Sequence, residues 1–84
     1  MLERGNVVKS SAGRDKERLL AVMQVSEKLI TVCDGKERPV DRPKSKNIRH
    51  VQEVGFSLTQ EETVTDRSLK KALARLNAEI NGNT

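Results

Sequence analysis

Aromatic side chains are nearly absent: the 84 residues hold one Phe and no Trp or Tyr. The core must therefore be aliphatic, and a protein that stacks single-stranded bases on aromatic rings is not expected. One cysteine excludes an internal disulfide and any cysteine-based zinc cluster. Cys33 ends the apolar run Leu29-Ile30-Thr31-Val32-Cys33 and reads as a small buried residue rather than a nucleophile. His50 is the sole histidine and has no second ligand type grouped with it. With no paired carboxylates and no Cys–His or metal-ligand cluster, neither enzymatic activity nor a cofactor is expected. Long hydrophobic runs are missing too, since nothing approaches the ~20 residues that cross a bilayer. Met1-Leu2-Glu3-Arg4-Gly5 lacks the apolar segment of a signal peptide. No membrane partner is expected, and the cytoplasm is the expected compartment.

Charge is what the chain has in quantity. It is 33% charged and 35% hydrophobic, a balance that suits a soluble folded chain rather than a disordered one. Residues 1–50 hold 12 Lys+Arg against 7 Asp+Glu, whereas residues 51–84 hold 4 against 5. All of the excess positive charge thus lies in the first half, the asymmetry of a protein that meets a polyanion. The alternative is a merely solvated surface. A chain this short makes one folding unit, near the lower limit for a self-supporting core. An aliphatic core of that size supplies only about 3–5 kcal/mol of net stability.

Asn6–Ser10 reads as a short first strand, followed by a loop from Ser10 to Lys16 in which Gly13 supplies backbone freedom. Leu19–Val25 is so continuously apolar that periodicity does not separate helix from strand. Its shortness, and the β-branched run Ile30-Thr31-Val32 that follows, favour a strand. Asp34-Gly35 is a tight-turn pair, so Lys36–Val40 is expected to return as another strand. Pro39 and Pro43 bracket a cationic stretch reaching Lys46, which belongs on an edge or in a loop because proline offers no N–H. Alternation over Asn47–Val54 predicts a last strand. Leu69, Ala72, Leu73, Leu76 and Ile80 form a stripe that predicts a helix over about 66–81, capped by Thr65 or Asp66 and followed by Gly82. Thr59-Gln60-Glu61-Glu62 has the form of a capping box that opens the helix early or makes a separate turn. Phe56 reads as core, under the helix, with a stacking platform as the alternative. The stripe reads as packing on the strands, with a docking or dimer face as the alternative.

Gly5-x-Val7-Val8, then Gly13-x-x-Lys16, then Val22 and Val25 together resemble a KOW motif. The turn Ser11-Ala12-Gly13-Arg14-Asp15-Lys16 is similar to that of KOW-type large-subunit ribosomal proteins of archaea and eukaryotes. It is closer still to the short bacterial KOW domain-containing RNA-binding proteins. Pro43-Lys44-Ser45-Lys46-Asn47-Ile48-Arg49-His50 resembles the Pro-Lys-rich stretch leading to a Lys/Arg-His pair in those proteins. The resemblance spans residues 4–52. It implies a small SH3-like β-barrel. With the helix read from the stripe, the expected fold is mainly β: the barrel over residues 1–54, and residues 55–84 as a C-terminal extension bearing the helix. The resemblance also implies RNA binding through the loops and the basic edge. The expected partners are rRNA and ribosomal proteins, and a monomer is the expected state. Two residues depart from the pattern: Glu17 stands where the motif usually has Gly, and Leu20 where many members have a second Gly. Glu17 sets a carboxylate beside a loop that should meet phosphate, unless it turns away or pairs with Arg14 or Arg18.

The loop also makes chemical sense without the family. Gly13 lets the backbone approach a ligand, and Arg14, Lys16 and Arg18 supply three cations within five residues. Arginine grips a phosphate through two parallel donors. A second group, Lys36, Arg38, Arg42, Lys44, Lys46 and Arg49, sets six cations against Glu37 and Asp41. With Lys9 and His50, these are the candidate RNA-binding residues. Lacking an aromatic platform, the chain is expected to hold structured RNA by its backbone. The competing reading is a non-catalytic adaptor that binds proteins of transcription or translation through the barrel and the apolar helix face.

Overall fold

Val7 and Val8 are adjacent in β1 (Asn6–Ser10), point to opposite faces, and are both buried. A sheet covered on both sides is therefore the organising fact of this fold. The structure, a computed structural model, describes residues 2–11 and 18–81. β2 (Leu19–Val25), β3 (Leu29–Cys33), β4 (Lys44–Asn47) and β5 (Val51–Ser57) join β1 in one antiparallel sheet of order β4-β3-β2-β1-β5. Directly paired residues share a face. Val7, Ala21 and Cys33 are partners across three strands and lie on one face; Val8 pairs with Leu20, and Val22 with Val32, on the other. Leu19, Leu20, Ala21 and Val22 are all buried because both faces are covered. That is why β2 carries no period of two in its sequence.

The first face is covered by α1 (Asp66–Asn81). Leu69, Ala72, Leu73 and Leu76 pack there on Val7, Leu19, Ala21, Cys33 and Leu58, with Val54 and half-buried Phe56 beside them. The stripe is thus a core face, and each of its leucines contributes about 1.5–3 kcal/mol of transfer free energy. Thr65 caps the helix: its hydroxyl accepts from Ser68 N at 3.1 Å, while Thr65 N donates to Ser68 Oγ. Thr59 and Glu62 form a second reciprocal box, on a separate 3-10 turn (Glu61–Thr63), with Thr59 N donating to Glu62 Oε1 at 2.9 Å. That bond, helped by Arg75, lowers the Glu62 pKa, so its small contribution is present above the normal carboxylate range and lost on acidification.

The second face holds Val8, Leu20, Val22, Ile30 and Val32, flanked by Leu2, Ile48 and Val51. Ile48 belongs to a 3-10 turn (Ile48–His50) that fastens two distant parts of the sheet. Ile48 N donates to Lys28 O at 3.0 Å, and Ser11 N donates to His50 O at 2.9 Å. The sheet therefore bends around this second cluster. No ladder joins β4 to β5, so the sheet stays open, its two edge strands linked by the turn.

Two expected strands are corrected. Lys36–Val40 is a bend, not a strand. Three of its backbone donors are already taken: Asp34 Oδ1 accepts from Lys36 N and Arg38 N at 2.9 and 2.8 Å, and Val40 N donates to Asp66 Oδ1 at 2.7 Å. Pro39 has no N–H to give. The stretch Asn47–Val54 is likewise interrupted. Asn47 Oδ1 accepts from Arg49 N at 2.9 Å and starts the 3-10 turn, so β5 begins only at Val51. The cationic stretch does end in an edge element, since β4, which starts directly after Pro43, is the outermost strand.

Cys33 is fully buried in the helix-side cluster. Burial, reinforced by the Asp34 and Asp66 carboxylates, pushes its thiol pKa up to about 11. A thiol-labelling reagent at neutral pH should leave Cys33 unmodified until the protein unfolds; labelling at the rate of a free thiol would contradict this packing. Because the folded pKa is raised, stability is full below the unfolded value near 9 and falls as pH rises toward about 11.

Candidate nucleic-acid interface

The tip of the basic loop, with Gly13, Arg14, Lys16 and Glu17, lies outside the described residues. Both of its anchor points are described. On one side Ser10 is buried and pairs with Val51, and Ser11 N is bonded to His50 O. On the other side Arg18 leads into β2, its carbonyl accepting from Ser10 N at 3.4 Å.

Each anchor brings a second basic segment to the loop. At Ser11 it is the 3-10 turn carrying Arg49 and His50, both exposed. At Arg18 it is the turn of residues 34–38, which carries Lys36 and Arg38. Arg18 Nη1 lies 3.4 Å from Asp34 Oδ2 and also pairs with Glu37 Oε2. The loop is thus flanked on both sides by groups that are far apart in the sequence. Arg18 itself, counted in the sequence as a phosphate ligand, has its guanidinium answered by two carboxylates. Those partners lie 16 and 19 positions away, where no local motif would find them.

Asp34 organises its turn as an acceptor for two backbone N–H groups, which is why an acidic residue sits buried at the base of a basic surface. Lys44 and Lys46 lie along edge strand β4 opposite Val32 and Ile30, and Arg42 is exposed just before them. Lysines on an edge also keep it from pairing with another chain, so these two have a structural reason to be there as well. Lys9 on β1 sits opposite Leu19 and Gln52, one residue before the loop anchor.

No protein-family model matches the chain, and no curated protein matches it. The chemistry of the surface must therefore carry the reading. Among the described residues no group of three His, Cys, Asp or Glu could hold a metal ion. No described helix is long and apolar enough to cross a membrane. Lys70 on α1, not among the cations singled out from the sequence, lines a cleft with Arg18 and Lys36. The available signal was spacing: Lys70, Ala74 and Asn77 stand at i, i+4 and i+7, beside the buried stripe.

Proposed function

We propose that this protein binds structured RNA, with rRNA as its target in the cytoplasm, through a KOW-type loop on an SH3-like barrel. The observation that carries the reading is the flanking of the loop. The hydrogen bond from Ser11 N to His50 O and the ion pairs of Arg18 with Asp34 and Glu37 bring two cationic segments to the two ends of one basic loop. A single phosphate-rich ligand can meet all three segments together, as affinity for a polyanion requires. The barrel reading is supported by the bent five-stranded sheet, by its covered inner cluster and by the 3-10 turn linking the two edge strands. RNA would be held by its phosphates, because the lone aromatic residue, Phe56, is packed toward the helix.

The loop is tested by replacing Arg14 and Lys16 together with alanine and measuring binding to an rRNA fragment. Each of the two cations is expected to neutralise one phosphate. Removing both should weaken binding by about 25- to 60-fold at roughly 0.1 M salt. Unchanged affinity would remove the loop from the interface.

A further inference from the structure

Between the Asp34–Arg38 turn and α1 runs a cleft whose polar wall is made by Arg18, Asp34, Lys36, Lys70 and Asn77, with small Ala74 between the last two. We propose that this cleft is a second track for RNA backbone, taking a phosphodiester run that leaves the basic loop at Arg18 and passes between Lys36 and Lys70. The inference rests on the RNA-binding reading and extends it to the helix, a segment whose half of the chain is net acidic.

Three observations carry it. The two walls are held in fixed relation, because Gly35 is seated on the helix backbone: a Cβ there would stand 3.0 Å from Lys70 N. Val40 N bonded to Asp66 Oδ1 ties the far side of the same turn to the helix start. The lysines on these walls carry no ion pair among the described residues, whereas the guanidinium of Arg18 is shared by two carboxylates. Asp34, the one acid lining the cleft among the described residues, is also occupied: its Oδ1 accepts two backbone N–H groups, and Oδ2 faces Arg18. What the cleft offers a ligand is therefore two lysines without an ion pair among the described residues, Lys36 from the turn and Lys70 from the helix. Arg18 at its end leads directly into the basic loop.

A merely solvated lysine would serve equally well elsewhere on α1, and Lys71, also exposed, does not line the cleft. Lys70→Ala and Lys71→Ala remove the same charge from neighbouring positions of one helix. Binding of each full-length variant to an rRNA fragment would be measured across a salt series, with circular dichroism to establish folding. Lys70→Ala should bind about five- to eightfold more weakly near 0.1 M salt, with the log–log salt slope reduced by about 1. Lys36→Ala should do the same, and Lys71→Ala should stay within about twofold, since its charge acts only through a screened field. Equal affinities and slopes for Lys70→Ala and Lys71→Ala would overturn the second track. If the Arg14/Lys16 double variant still bound more weakly than the unmodified protein, the loop reading would survive. Absence of RNA binding by the unmodified protein would overturn both.

Discussion

Replacing Gly35 with alanine should cost about 3–5 kcal/mol, close to the whole stability expected of a core this small. Two separate costs meet at this position. Gly35 has φ +79°, a conformation that penalises an L side chain by about 1–2 kcal/mol. Its Cβ would also press into the Asp66 carbonyl oxygen and crowd Lys70 N, both backbone atoms of α1. Backbone in a hydrogen-bonded helix cannot step aside as a side-chain tip can. Relief requires either the turn or the helix to leave its seat, which loosens the leucines packed on β1 and β2. Gly55 supplies the control: its φ is +83°, but nothing lies within 4 Å of a Cβ placed there. Gly55→Ala should therefore show only the conformational cost. Urea denaturation of the two variants separates the terms, and equal losses of stability would show that the turn is not seated on the helix.

The same seat explains what the sequence could and could not disclose. β1, β2 and α1 are legible because their signals are local: two adjacent valines, an apolar run and a stripe with a capping threonine. The bounds expected for the helix, 66–81, agree with α1 because Thr65 and Ser68 satisfy its first donors within four residues. Lys36–Val40 departs from the expected strand because its amide donors are claimed by side chains, one of them Asp66, far along the chain. A turn pair such as Asp34-Gly35 announces a reversal, but not what the chain pairs with afterwards. Ile48–His50 departs for a related reason: alternation in residue type runs on through a segment whose Asn47 cap has already started a 3-10 turn.

The candidate site divides along the same line. The cations themselves can be named from the sequence, since charge is a property of residue type. Which of them are available cannot. Arg18 reads as a free phosphate ligand until Glu37 and Asp34 are brought beside it. Lys70 reads as a solvated helix residue until the turn at Gly35 makes it one wall of a cleft. The pattern is physically coherent: the turn that supplies Lys36 also supplies the carboxylates that hold Arg18 at the root of the loop. Ion pairs at this degree of exposure are worth only about 0.2–1 kcal/mol, so their effect is on position more than on stability.

RNA binding through phosphates makes a demand that other modes of association do not. Each phosphate neutralised releases condensed counterions, so affinity must fall steeply as salt is added. If six to eight cations of the loop and its flanking segments each meet one phosphate, the log–log slope should be about −5 to −7. Between roughly 50 and 200 mM salt, affinity should then fall by about 10³- to 10⁴-fold. An adaptor that docks by the apolar surface of its partner would show little of this dependence. The decisive measurement is the affinity of the unmodified protein for a structured rRNA fragment across that salt range. A slope of about −5 or steeper is the predicted result; a slope near zero, or no binding at the lowest salt, would contradict RNA binding through this surface.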